Sequence, residues 1–437
     1  MPDTKSRVTR RQILKSSLRG TALTAAPLFI PASALGLGGT VAPSDRVTLG
    51  GLGIGNRGAT VLQAFLNQPD VQFLAICDVR DERREAIKSM AGQKYGNRGC
   101  AMYSEQEELW ARKDIDAVLI ATGDRWHTPL AIMTAKAGKD VYCEKPCSMT
   151  IAESRALADT FQRLGRVYQA GTQRRNGPNF MRAFDLVRSG KLGKLTTLHA
   201  ELGPGERWAP LTSHAWLAAE KEPSKQVVDW NRWLGPAPWR PYHPDYIQGR
   251  WRGYFDFHGG GILEWGPHTV DLCQWVAGLD ETAPVEFDPQ GMGGLTPYSI
   301  ACRYANGLRL VMRDKGFLGL GSCHIRWEGD AGWVETADSG RIAVSGNLRG
   351  QVADVAQEDA RKSTANHVRN FVDSVKSRKQ ASSNALAAAQ AHIACHAAHI
   401  AFQLGRKLTF DPAADLFVGD EEANRMRSRA MREPWRT

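Results

Sequence analysis

Arg46-Val-Thr-Leu-Gly-Gly-Leu-Gly-Ile-Gly-Asn-Arg-Gly58 is a short apolar strand that runs into Gly53-x-Gly55-x-x-Gly58, and a carboxylate, Asp78, follows twenty residues after the last glycine. The spacing is that of a dinucleotide-binding turn. One glycine makes the tight turn, one lets the backbone approach a pyrophosphate, and one lets the following helix pack on the strand. The phosphates then rest on the helix N-terminus. The flanks supply the context this motif requires: Ala59-Thr-Val-Leu-Gln-Ala-Phe-Leu66 has helical spacing, and Val71-Gln-Phe-Leu-Ala-Ile-Cys77 is a second apolar strand ending at Asp78. An acid at that tip accepts from ribose hydroxyls and repels a 2′-phosphate, which points to NAD; Arg80, two residues on, leaves NADP open. Gly53, Gly55, Asn56, Arg57, Gly58, Asp78 and Arg80 are therefore candidate cofactor ligands.

The alternation continues. Asp116-Ala-Val-Leu-Ile-Ala-Thr122 reads as a buried parallel strand, 129–137 as a helix closed by Gly138, and Asp140-Val-Tyr-Cys143 as a further strand. This is the doubly wound pattern, whose ligands lie beyond the strand C-termini. Residues 122–127 and 144–146, among them Thr122, His127, Glu144 and Lys145, should face the cofactor, with Gln173 after the next strand. Composition changes after Gly171. Eight of the thirteen tryptophans fall at 208, 216, 230, 233, 239, 251, 265 and 275, in a segment rich in Pro and Gly. Indoles there either stack on sugar C–H faces or anchor long loops to a sheet. Residues 285–349 alternate with period two, with a hairpin turn at Asn306-Gly307, and 366–378 and 384–404 read as helices. His392, His396 and His399 with Cys395 sit in an alanine-rich helix, which favours tight packing over metal binding. No metal site is expected.

Thr9-Arg10-Arg11-Gln12-Ile13-Leu14-Lys15, a mildly apolar 22–30 and Ala32-Ser33-Ala34 form a twin-arginine signal in order, so 1–34 is read as an export signal and the mature protein as periplasmic. Without 1–34, which hold six basic residues and one acid, 50 Lys/Arg and 45 Asp/Glu remain, a net +5 with no basic block of the kind that binds nucleic acid. No later run is long and apolar enough to span a membrane. Twin-arginine substrates fold before export, in a reducing compartment, so most of the eight cysteines are expected to be free and buried. The expected parts are a nucleotide-binding domain at 45–170, a substrate-binding domain at 171–410 and a C-terminal tail at 411–437.

Gly53-x-Gly55-x-x-Gly58, Ile120-Ala-Thr122 with His127, Cys-Glu144-Lys145-Pro146, Gly259-Gly-Gly261 leading to Glu264-x-x-x-His268-x-x-Asp271, and Leu404-Gly-Arg-Lys-Leu together resemble the Gfo/Idh/MocA oxidoreductases. Asp229-Trp-Asn-Arg-Trp-Leu-Gly-Pro-Ala-Pro-Trp-Arg-Pro-Tyr242 resembles an exported branch of that family. The resemblance implies an α/β fold: a Rossmann doubly wound parallel sheet, then an α+β domain with an open-faced, largely antiparallel sheet. It implies hydride exchange between nicotinamide and a carbon of a sugar, polyol or glycoside, and a homo-oligomer is expected. By the same resemblance Lys145 polarises the substrate oxygen, His268 takes its proton and Glu264 orients or tunes the imidazole. The family pattern carries aspartate where Glu264 stands, which alters the reach of the carboxylate by one methylene.

A secondary alcohol gives up hydride only as its hydroxyl proton leaves, so the chemistry needs a base and a stabiliser of the developing alkoxide. An exported enzyme also has to carry its nucleotide out already bound. Two schemes follow: a second substrate reoxidises the bound cofactor, or a transient ketone drives elimination of a glycoside leaving group and hydride then returns. A third reading is a catalytically silent sugar-binding protein with a structural NAD.

Overall fold

β1 (Val47–Leu52) is buried along nearly all of its length, which is why it reads as an apolar run and not as an alternation: both faces of a parallel sheet are covered. The computed structural model describes residues 41–97, 99–203, 216–290 and 298–436. The signal read at 1–34 and Trp208 lie outside the described residues. Residues 41–46 belong to a small separate unit, where Pro43–Asp45 forms a 3-10 turn closed by Arg46 N–H donating to the Pro43 carbonyl. The second unit is Val47–Thr437.

With β2 (Val71–Cys77), β3 (Ala101–Tyr103), β4 (Ala117–Ile120), β5 (Asp140–Cys143) and β6 (Tyr168–Ala170), the first strand forms a parallel sheet of order β3-β2-β1-β4-β5-β6. The order reverses between β1 and β4, the switch point at which such sheets bind ligands. Helices α1 (Asn56–Leu66), α2 (Asp81–Tyr95), α3 (His127–Lys136) and α4 (Ile151–Leu164) connect the strands.

The second sheet contains β7 (Leu195–Glu201), β8 (Glu286–Gln290), β9 (Ser299–Arg303), β10 (Arg309–Arg313), β11 (Ile325–Gly329), β12 (Gly332–Thr336), β13 (Ile342–Val344), β14 (Leu408–Asp411) and β15 (Leu416–Phe417). Its order is β13-β12-β11-β7-β10-β9-β8-β14-β15, antiparallel except where β7 meets β10. The β9–β10 hairpin turns at Asn306-Gly307, as the alternation implies, with Gly307 at φ +85°. Helices α5 (Pro178–Arg188), α6 (Gly261–Ala277), α7 (Ser363–Ser377) and α8 (Ala385–Leu404) complete the second half of the chain. Leu198, Ile300, Leu310 and Trp327 from the sheet share one core with residues of α6 and α8. The alanines of α8 have a steric purpose. A Cβ at Gly266 of α6 would meet Cys395 Sγ at 2.7 Å, so the two helices approach as closely as small residues allow.

Two segments pack differently from their place in the sequence. Helix α7 contributes Val368, Phe371 and Val372 to the core of the parallel sheet, where Phe371 meets Phe65 and Tyr142 edge-on at 5.9 and 5.8 Å. Arg369 and Lys376 pair with Asp70, and Arg378 with Asp140, around that contact. Residues 411–437, expected to be a tail, supply a sheet-edge strand and a short helix, and buried Trp435 sits edge-on to Trp126 at 5.8 Å. Burying that indole is what returns the chain end to the parallel-sheet side.

Residues 216–258 form an insertion with its own aromatic core of Trp230, Trp233, Tyr246, Tyr254 and Phe257. Its elements are short: Trp230–Leu234, Pro244–Ile247 and a 3-10 turn at Arg250–Gly253. All eight cysteines are unpaired and buried. No helix among the described residues is long and apolar enough to cross a membrane.

Candidate active site

Gly53 follows β1 with φ +63°, and a Cβ there would lie 2.0 Å from Thr122 Cγ2. Only glycine fits, for conformational and steric reasons together. Gly58, one turn into α1, approaches Ala121 so closely that a Cβ would meet its Cβ at 2.6 Å, which is the helix-to-strand contact the motif needs. Gly55 caps α1 with no side-chain hydrogen bond, so the first N–H groups of the helix are left for an anion. Gly53, Gly55, Asn56, Arg57, Asp78, Arg80 and Thr122 line one cavity of about 280 Å³. This architecture fits a dinucleotide.

Asp78 lies at the tip of β2, is buried, and accepts the Arg80 backbone N–H at 2.9 Å. Burial pushes its carboxyl up to about 6, against the pull of that hydrogen bond and of the Arg80 charge. Arg80 is otherwise occupied: Nη1 donates to the Ile247 carbonyl at 2.8 Å and Nη2 to Glu82. Arg83, which the sequence reading passed over, also lines the cavity and donates to Asn56 Oδ1 at 2.9 Å.

The remaining sequence-derived candidates form a second group beyond Arg57. Arg57 Nε lies 3.4 Å from Glu144 Oε1, and Gln173 Nε2 donates to the same oxygen at 2.7 Å. His127 is buried, with Nδ1–H donating to the Pro146 carbonyl at 2.6 Å and Nε2 at 3.2 Å from the Thr122 carbonyl. The ring braces the two loops after β4 and β5 against each other and is absent from the cavity lining.

Lys145 Nζ donates to the Glu264 carbonyl at 2.7 Å and to Glu264 Oε2 at 3.0 Å. An ammonium has three N–H donors, and one is left over for a substrate oxygen. Glu264 also accepts from His258 Nε2–H at 3.0 Å and faces Arg252 Nε at 3.3 Å. Burial disfavours the Glu264 charge, but the hydrogen bonds from His258 and Lys145 outweigh it and hold the carboxyl well below the usual carboxylate range. The expectation that Glu264 orients His268 is corrected here. Although the two residues are one helical turn apart on α6, the Glu264 carboxylate is engaged by Lys145 and His258 instead. His268 is buried, with Nδ1 unpartnered among the described residues. Burial, followed by the charges of Arg174, Lys145 and Arg57, holds its imidazole well below the ordinary histidine value, so it stands neutral. His268 lies within α6, one residue after Pro267, which the helix carries in its interior.

Sequence reasoning missed His258 and Arg252, whereas Asp124 lies in the 122–127 stretch expected to face the cofactor. Asp124 Oδ2 accepts the Gly259 N–H at 3.3 Å and lies 3.7 Å from His258 Nε2. The available signal for His258 was position: it directly precedes the Gly259-Gly-Gly261 run. Arg252 belongs to both groups, since it lines the nucleotide cavity and touches Glu264.

A glycine-turn nucleotide cavity beside a lysine–carboxylate–histidine cluster defines a nicotinamide-dependent oxidoreductase. Residues 47–172 match the Gfo/Idh/MocA oxidoreductase family model described as an NAD-binding Rossmann fold, and 182–437 match that family's C-terminal alpha/beta domain; the chain belongs to the Gfo/Idh/MocA family. Among curated relatives, a glycosyl hydrolase family 109 protein of Shewanella pealeana is 32% identical over 175 residues, 39% of this chain and 38% of that protein. An alpha-N-acetylgalactosaminidase of Shewanella oneidensis is 31% identical over 177 residues, again 39% and 38% of the two chains. The matched stretch thus spans well under half the length of either relative. The myo-inositol 2-dehydrogenase structure from Lactobacillus plantarum superposes with a TM-score of 0.60 at 17% identity, covering 84% of this chain and 100% of that one, and so shares the fold.

Proposed function

We propose that the protein transfers hydride between a tightly held NAD and a secondary alcohol carbon of a sugar, polyol or glycoside. The observation that carries this reading is the Lys145–Glu264 pair joined to the nucleotide cavity through Arg252, with neutral His268 on the same helix as Glu264. Gly53, Gly55, Asp78 and Arg57 would hold the dinucleotide, and when bound it supplies the hydride acceptor. The chain's own residues handle the proton. His268, kept neutral by burial, takes the hydroxyl proton as the C–H bond breaks. The free N–H of Lys145 meets the developing alkoxide, and Glu264 fixes the direction of that N–H.

Single-turnover absorbance at the nicotinamide band, across a panel of sugars and aryl glycosides, tests this. Lys145→Ala and His268→Ala should each slow reduction of bound NAD by about 10²-fold or more. Wild-type rates in both variants would overturn the assignment.

The names of the relatives favour a second reading, redox-neutral glycoside cleavage. A ketone formed at the site acidifies the adjacent C–H, the glycosidic leaving group departs, water adds, and hydride returns to the carbonyl carbon. Release of an aglycone from an aryl glycoside with no net change in nicotinamide absorbance supports this route; a free keto sugar supports net oxidation.

Export by the twin-arginine route and assembly into a homo-oligomer complete the proposal. The support for export is the Arg10-Arg11 motif with its apolar stretch and cleavage site. A reporter fused behind residues 1–44 that stays cytoplasmic would overturn export, and a light-scattering mass of one chain would overturn assembly.

A further inference from the structure

The insertion was read from its tryptophans as either a sugar platform or a loop anchor, yet its residues stand in the nucleotide cavity. Ile247, Gln248, Gly249, Trp251 and Arg252 line the same space as Gly53 and Asp78. We infer that 244–252 form a retaining wall across the bound dinucleotide, so that the nucleotide stays seated through successive turnovers and leaves only when 248–252 swing outward. The inference rests on the nucleotide site and not on which substrate is oxidised.

Three observations support it. First, the insertion is fastened to the tips of β2 and β4. Arg84 donates to the Gln226 carbonyl at 3.0 Å, Asp81 N–H to Val227 O at 3.0 Å, and Asp229 N–H to Val79 O at 3.0 Å. On the β4 side Arg125 Nε donates to Leu234 O at 3.1 Å and Trp126 Nε1 to Arg232 O at 3.0 Å. Second, the insertion is stiff, because its buried aromatic cluster gives it a core of its own. Third, the wall is lightly held where it would have to open. Tyr246, Ile247 and Arg80 anchor its first half in the insertion, whereas 248–252 reach the rest of the chain through Arg252 to Glu264 at 3.3 Å and Trp251 against the His258 ring at 5.7 Å, with Arg250 turned back on Asp245 within the wall at 2.7 Å and the Arg250 and Arg252 side chains more than half exposed. Gly249, at φ +121°, is the natural pivot. At the inner surface Arg125 Nη1 is buried with no partner among the described residues, which suits a ligand atom and not an empty wall.

The test is exchange of bound NAD against isotopically labelled NAD, read by mass spectrometry on intact protein purified with its nucleotide. Wild-type exchange should be slow enough to survive gel filtration. Gly249→Val should accelerate release by about tenfold or more, because a β-branched residue at that φ strains the closed wall. The space around its Cβ is open to 4 Å, so the effect acts only through the wall's backbone. Asp245→Ala, which frees the exposed Arg250, gives a second variant with the fold's interior untouched and should also release faster. Complete wild-type exchange within seconds overturns the inference, as does wild-type release from both variants. Neither outcome touches the hydride reading, which is judged on nicotinamide reduction.

Discussion

Asp78 is a carboxylate held at a cost. Its pKa is raised from 3.8 to about 6 in the fold, so the neutral form is favoured there. The penalty for charging it therefore begins as pH rises past 3.8 and is complete above about 6, where two units amount to about 3 kcal/mol. Asp78→Asn should stabilise the nucleotide-free protein at pH 8 relative to wild type, and the gain should vanish below pH 4. The same variant should gain less from added NAD, since the ribose hydroxyls lose their charged acceptor. Thermal unfolding with and without NAD at the two pH values measures both effects. A variant as responsive to NAD as wild type would move the ribose contact elsewhere. At this scale the sequence was legible where geometry leaves a single residue type possible, as at Gly53 and Gly58. It was silent on His258, whose contact with the Glu264 carboxylate is made only by the packed site.

The α6–α8 contact is where an element-scale change would be felt. Gly266 faces Cys395 with no room for a methyl group, so Gly266→Ala should destabilise by about 1–3 kcal/mol through overpacking. Cys395→Ala should restore part of that loss in the double variant, because the clash is with the sulfur itself. Denaturant unfolding of the single and double variants reads the coupling, and additive losses would show that the helices separate instead of clashing. Strand periods and helix spans were legible in the sequence: the Asn306-Gly307 hairpin is present, and Ala385–Leu404 starts at an Asn384 cap.

Across the molecule, the parallel sheet borrows its core from the far end of the chain. Phe371 of α7 sits fully buried between Phe65 and Tyr142, so a fragment of residues 45–172 should not fold alone. Within the whole protein Phe371→Ala should cost about 3–5 kcal/mol. Far-UV and near-UV circular dichroism of the fragment, with denaturant unfolding of the variant, tests both; a cooperatively folded fragment would show the helix to be dispensable. The return of α7 and of Trp435 was not legible in the sequence, since neither segment carries a pattern that says which sheet it covers.

Trp233 and Trp251 both line the nucleotide cavity, and that placement turns the protein into its own optical gauge. Indole emission overlaps the absorption of reduced nicotinamide but not of the oxidised form. The redox state of the bound dinucleotide should therefore be written in the intrinsic fluorescence of the chain, dimming as hydride arrives and recovering as it leaves.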